Sequence, residues 1–225
     1  MPIELLVFDL DGTLADSKLD LALAVNATRA DVQLPPLPEE IVFSYVGHGA
    51  PTLVRRALGE EFDDAQLQRS LEFFLGYYRQ HMLDHTRLYP GVAESLDRLR
   101  AAGKRLAVLT NKPWRFSRDL LRGLGIGDHF GAIYGGNSFE TKKPHPEGLE
   151  KVMAELDAEP AQTLVAGDSG VDVQTARNAG AWSCGVTYGF QPETFAESPP
   201  DLLVDRLEEL ADIVIEGRPI LSKVI

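Results

Sequence analysis

The feature that most limits what this chain can fold into is a recurring unit. A short apolar run stops abruptly at acidic, glycine or threonine residues, and a helical pattern follows. The first case is ELLVFDLDGT, where Leu5 to Phe8 run straight into Asp9, Asp11 and Gly12. Continuous apolar residues bounded by turn chemistry suit a strand buried on both faces. The signal recurs at Arg105–Thr110, Thr163–Gly167, Ser183–Val186 and Leu202–Val204, and more weakly at Ala132–Tyr134. Helical periodicity covers Val92–Ala102, Phe116–Leu124, Pro146–Leu156, Val171–Ala179 and Arg206–Val214. Gly103 and Gly180 stand just past two of these stretches, where a left-handed stop is favoured. Strands alternating with helices predict an α/β chain with a largely parallel sheet.

Residues 16–86 break that rhythm. They carry no convincing strand signal but several helical stretches: one beginning near Ser17, one at Pro51–Leu58 and one at Ala65–Leu83. The Pro-rich segment LPPLPEE at 34–40 separates the first from the rest. The expected organisation is a Rossmann-like α/β core of residues 1–15 and 87–225 with a helical cap inserted at 16–86. The C-terminal GRPILSKVI is expected to be a weakly ordered extension.

Charge narrows the function classes. Lys and Arg number 22 against 34 Asp and Glu, a formal charge of −12 over 225 residues. That balance repels phosphate backbones and anionic lipid, so neither nucleic acid nor a membrane surface is an expected partner. A small anionic substrate is still allowed, because a few local cations dominate one pocket. The single cysteine, Cys184, excludes an internal disulfide framework and a multi-cysteine zinc site. No apolar run approaches the ~18 residues of a membrane span. The N-terminus lacks a signal-type pattern, so a cytoplasmic protein, monomeric or dimeric, is expected.

In an open parallel sheet, chemistry gathers at the carboxyl ends of the strands. Four segments there carry unusual residues: Asp9-Leu10-Asp11-Gly12-Thr13, Thr110-Asn111-Lys112, Lys142-Lys143-Pro144, and Gly167-Asp168-Ser169 with Asp172. Bringing Asp9, Asp11 and Asp168 together places three carboxylates in one site, which cannot all ionise without a counter-cation. A hard cation such as Mg²⁺, with oxygen ligands and a substrate phosphate, answers that requirement. Lys143 and Thr110 then offer a point charge and a hydroxyl to an anion between them; Lys142 adjoins Lys143, and spacing leaves open which of the two faces solvent. Asp9, ending a rigid strand, is the expected nucleophile. Asp11, two residues on, is the expected acid that protonates a leaving oxygen and then activates water. The assembled chemistry is phosphoryl transfer through an aspartyl-phosphate.

The set VFDLDGT, LTNKP, KKP and AGDSGVD resembles, in order, the four motifs of the haloacid dehalogenase superfamily. The resemblance spans residues 3–190. It implies Asp9 as nucleophile, Asp11 as general acid and base, Thr110 and Asn111 as phosphate contacts, and Lys143 as the charge-stabilising lysine. It also implies Asp9, the Asp11 carbonyl and Asp168 as Mg²⁺ ligands, with Asp172 contributing indirectly or through water. Residues 16–86 resemble the cap that one subgroup carries between its first two motifs. Within that subgroup the chain is similar to bacterial phosphoglycolate phosphatases, through LPPLPEE and the stretch from Val46 to Leu58. The family's usual VGNGA reads Val46-Gly47-His48-Gly49-Ala50 here, so His48 departs from the pattern in the loop expected to touch substrate. The implied activity is Mg²⁺-dependent hydrolysis of a small phosphorylated metabolite, 2-phosphoglycolate first. Sugar phosphates such as N-acetylmuramic acid 6-phosphate, and phosphate transfer within a sugar by a mutase, use the same motifs and stay open. A dehalogenase fits less well, since Asp11 has no counterpart there.

Other features carry plainer readings. Gly123-Leu124-Gly125-Ile126-Gly127 follows a helix rather than a strand, so it reads as a helix stop, not a nucleotide loop. His81 and His85 lack a third nearby ligand and read as a solvated pair. His145 reads as a loop residue, and Cys184 as buried filler. Phe73, Phe74, Tyr77 and Tyr78 stand at helical spacing and read as cap core.

Overall fold

In the computed structural model, which describes residues 2–220, six parallel strands form the sheet, side by side in the order Ala132–Tyr134, Arg105–Leu109, Leu5–Phe8, Thr163–Gly167, Trp182–Val186 and Leu202–Val204. Strand β1 (Leu5–Phe8) leads into the two-residue β2 (Ala15–Asp16). Four helices follow: α1 (Lys18–Asp31), α2 (Glu39–Phe43), α3 (Ala50–Leu58) and α4 (Asp64–His81). The chain returns through β3 (Arg87–Leu88), which pairs antiparallel with β2. It then alternates through α5 (Val92–Ala101), β4 (Arg105–Leu109), α6 (Trp114–Gly123), β5 (Ala132–Tyr134) and α7 (Glu147–Glu155). The last elements are β6 (Thr163–Gly167), α8 (Gly170–Asn178), β7 (Trp182–Val186), β8 (Leu202–Val204) and α9 (Leu207–Ile215). Part of the expected C-terminal extension, residues 221–225, lies outside the described residues.

Strand β1 is apolar on both faces because both faces are covered. Leu6 and Phe8 pack into the larger apolar cluster with Val92, Leu96 and Leu207. Leu5 and Val7 pack into a second cluster with Leu149, Val152 and Met153 of α7. Its neighbours are β4 and β6, with Phe8 in register with Val108 on one side and Ala166 on the other. After β5 the chain crosses to β6 on the opposite side of β1, the reversal at which α/β sheets open a crevice.

The β2–β3 ribbon is the one piece of sheet that the sequence reading did not anticipate. Two residues per strand leave no run long enough to show a period. Buried Asp20 on α1 braces the chain just before β3. Its carboxylate accepts the backbone N–H groups of His85 and Thr86 and, at 2.7 Å, the Thr86 hydroxyl. Helix α4 opens with a reciprocal cap between Asp63 and Gln66. Helix α2 was not foreseen either; it grows from Glu39 and Glu40 directly after Pro38, where acidic residues suit a helix start.

Candidate active site

The register of β1, β4 and β6 brings the motif residues to one edge. Asp9, one residue past β1, donates its backbone N–H to the Ala166 carbonyl. Thr110 follows β4, and Asp168 follows β6. Buried carboxylates of Asp9, Asp168 and Asp172 converge, one oxygen of each lying within 4.8 Å of the others. Gly12 makes that approach possible. Its φ is +82°, and a Cβ there would stand 2.1 Å from Asp168 Oδ2.

Lys143 reaches into the cluster, and Lys142 is the exposed member of the pair. Lys143 Nζ lies 2.6 Å from Asp172 Oδ1 and 3.0 Å from Asp9 Oδ1. The second contact is an ion pair without hydrogen-bond alignment, so Asp9 Oδ1 is buried with an unspent acceptor. Burial raises the Asp9 carboxyl to about 6, against the opposing pull of Lys143 and the Thr110 hydroxyl. Burial, with Asp172 and Asp9 alongside, also holds Asp168 well above the usual carboxylate range. Lys143 behaves oppositely: burial works to lower it, but Asp172 and Asp9 hold it above the ordinary lysine value.

Asp172 spends both oxygens. Oδ1 takes Lys143, and Oδ2 accepts the Ser169 N–H and hydroxyl at 3.2 and 2.8 Å, capping α8. Its visible role is to hold Lys143 against Asp9. The Asp11 carboxylate is not in the cluster. Ser17 Oγ donates to its Oδ1 at 2.6 Å, and Lys112 Nζ lies 3.1 and 3.0 Å from its two oxygens. The Asp11 backbone carbonyl accepts no hydrogen bond among the described residues.

The structure redirects two of the expected site side chains. Asn111 was expected to contact phosphate, but its side chain is committed elsewhere. Its Oδ1 accepts the Lys143 N–H at 3.0 Å, and its Nδ2 donates to the carbonyls of Gly47 and Lys143. Its backbone N–H, which donates to nothing among the described residues, is what it can offer an anion. The loop of Gly47, His48 and Gly49 faces the cavity through its two glycines, while the His48 side chain is exposed and absent from the lining. Partial burial, with Arg56 nearby, lowers the His48 pKa. His145 stays a loop residue, its Nδ1 3.1 Å from Thr141 Oγ1.

The cavity lies between the strand ends and the helices and has a volume of about 50 Å³. Asp9, Asp11, Thr110, Lys112 and Asp168 face it from the sheet. Leu21, Leu53, Phe74, Leu75 and Tyr78 face it from the helices. Phe74 and Tyr78 are therefore core residues of the helical segment and cavity wall at once, which helical spacing alone could not separate. Further contacts join the helical segment to the strand-end loops, among them Lys112 Nζ to the Tyr78 hydroxyl at 2.8 Å, Asn111 to Gly47, and Gln191 Nε2 to the Val46 carbonyl at 3.0 Å. Gln191 and Lys112 carried no assigned role in the sequence, because their partners are far away along the chain.

The donor set fits a hard divalent cation. Three buried carboxylates meet, Lys143 alone forms an ion pair with them among the described residues, and the fully buried Asp9 Oδ1 has no hydrogen bond. Excess buried negative charge with all-oxygen donors is the chemistry that Mg²⁺ satisfies.

The family model for haloacid dehalogenase-like hydrolases matches residues 6–186. A phosphoglycolate phosphatase of Vibrio vulnificus is 42% identical over 222 residues, covering 95% of this chain and 96% of its own. One from Haemophilus influenzae is 39% identical, covering 94% and 98%. The crystal structure of a predicted phosphoglycolate phosphatase from Haemophilus somnus superposes with a TM-score of 0.89 at 35% identity, covering 94% of this chain and 97% of that one. The ordered motifs, the sheet and these full-length similarities agree, and the chain belongs to the haloacid dehalogenase-like hydrolases.

Proposed function

We propose that the protein is a Mg²⁺-dependent phosphomonoesterase whose substrate is 2-phosphoglycolate, split to glycolate and phosphate through a phosphorylated Asp9. The observation that carries the reading is the Asp9 carboxylate. It is fixed at the end of the central strand, with an unspent oxygen, beside Lys143 and at the floor of a small cavity. The names of the full-length relatives support the substrate. The exposed His48 supports it too, because the one departure from the family's loop pattern is absent from the cavity lining.

In this reading the helices 18–81 are the cap, and the β2–β3 ribbon is the neck on which they stand. Asp9, the Asp11 carbonyl and Asp168 hold Mg²⁺, which supplies charge neutralisation to the phosphoryl oxygens. Lys143 and the Thr110 hydroxyl bind those oxygens, with the Asn111 N–H alongside. Asp9 attacks phosphorus, and Asp11 gives its proton to the glycolate oxygen as the P–O bond breaks. Asp11, now a carboxylate, takes a proton from water as that water attacks phosphorus and frees Asp9. Closure of the cap excludes bulk water during both steps.

The test is phosphate release with Mg²⁺, and with EDTA as control, from 2-phosphoglycolate, N-acetylmuramic acid 6-phosphate, two glucose phosphates and a nucleoside monophosphate. The expected result is a kcat/KM preference of about tenfold or more for 2-phosphoglycolate. A sugar phosphate as the preferred member overturns the substrate and keeps the chemistry. Phosphate shuttled within glucose phosphate, without release, overturns hydrolysis in favour of a mutase.

A further inference from the structure

Lys112 is one of the residues that link the two walls of the cavity, and the one that also holds the expected acid. Its side chain is 5% exposed and its ammonium is paired with Asp11, itself 12% exposed. It reaches both Asp11 oxygens, while the Tyr78 hydroxyl of α4 stands 2.8 Å from the same nitrogen and the Tyr78 ring centre 4.5 Å away. Ser17 Oγ also donates to Asp11 Oδ1. Taking an ammonium and a carboxylate out of water is a poor way to stabilise a fold, since apolar residues of similar volume serve as well or better. A pair like this on a cavity wall, built around the expected proton donor, therefore calls for a catalytic reason.

We propose that Lys112 is the positioning residue for Asp11, and that Tyr78 is the part of that device contributed by the helical segment. Lys112 and Ser17 together fix the plane of the Asp11 carboxylate. Tyr78 ties Lys112 to α4, so the acid is fully positioned only while the helices stand over the strand ends. Closure and proton transfer are thereby linked by one side chain, and an open site holds its acid loosely. The inference rests on the phosphomonoesterase reading given above.

The test is a first-turnover measurement on the full chain with Mg²⁺, using two esters. The alkoxide of 2-phosphoglycolate needs a proton to leave, whereas the phenolate of 4-nitrophenyl phosphate leaves without one. Lys112→Met is expected to slow alcohol release from 2-phosphoglycolate about 100-fold, and nitrophenol release by less than about threefold. Tyr78→Phe, which removes only the hydroxyl, is expected to show the same bias at about tenfold. In an Asp11→Asn background, Lys112→Met should cost nothing further on the alkyl ester, because residues acting as one unit are not additive. Equal losses on both esters overturn the proposal and make Lys112 a phosphate contact. An undiminished loss in the Asp11→Asn background overturns it in favour of a purely structural role, as does no loss at all. Circular dichroism checks folding, and if Lys112→Met does not fold, Tyr78→Phe decides by the same criteria. A wild-type chain that turns over neither ester, nor any other alkyl phosphate, overturns the phosphomonoesterase reading and this inference with it. One that prefers another alkyl phosphate moves the comparison to that ester.

Discussion

The two walls of the cavity are built on opposite principles. The sheet wall presents carboxylates, an ammonium, a hydroxyl and backbone N–H groups from the ends of β1, β4 and β6. The helical wall presents leucine, phenylalanine and glycine, with the Tyr78 hydroxyl as its polar side-chain contribution. Polar groups in a dry site work only when held at fixed distances, and strands locked by neighbours on both sides provide that. Apolar contacts need volume and shape rather than angle, so helices that can move as a unit suffice. Under the proposed function, the difference is a division of labour in which the sheet wall carries the reacting groups and the helical wall the shape that selects among substrates.

Substitutions on each wall sharpen or break that division. The largest effect is expected from Asp9→Asn, which should reduce phosphate release by about 10³-fold or more while the chain stays folded. Activity and a melting curve check it together, and substantial turnover by the variant would remove Asp9 from the nucleophile role. Lys143→Met should come next. It leaves Asp9 and Asp172 buried without their cation, which costs about 3–5 kcal/mol of stability by denaturant titration. Its activity should also fall about 10²-fold or more, as for loss of an oxyanion contact.

On the helical wall the effects should be smaller and of another kind. Leu75→Ala enlarges the cavity without touching a polar group, and should shift the kcat/KM ratio of a sugar phosphate to 2-phosphoglycolate upward by about tenfold. If it instead lowers turnover of both substrates equally, the walls are not separable. The smallest effect is expected from His48→Asn, which restores the family's loop pattern at an exposed side chain. Steady-state kinetics should move by less than about threefold, and a larger change would bring His48 into contact with substrate.

The strands were legible because each is an apolar run bounded by turn chemistry, and the inner ones, β1, β4, β6 and β7, are buried on both faces. Thr163–Gly167, Ala132–Tyr134 and Leu202–Val204 appear with the bounds expected of them. The acids and hydroxyls at their ends were legible for the same reason, since a parallel sheet gathers strand ends on one edge. The ribbon of β2 and β3 was not, because two residues carry no period. Nor was the redirection of Asn111, whose amide is claimed by Lys143 and Gly47, 32 and 64 residues away in sequence.

By itself, then, the sequence determined the sheet, the order of its motifs and the inventory of chemical groups at the strand ends, because these depend on local pattern and on a topology with few alternatives. The tertiary structure alone decided which groups meet. It turned Asp172 toward Lys143, aimed His48 outward, made Tyr78 both core and cavity wall, and set Lys112 between Asp11 and α4. Such pairings depend on side-chain directions across elements that are distant in the chain, where a rotation of one helix would exchange every partner.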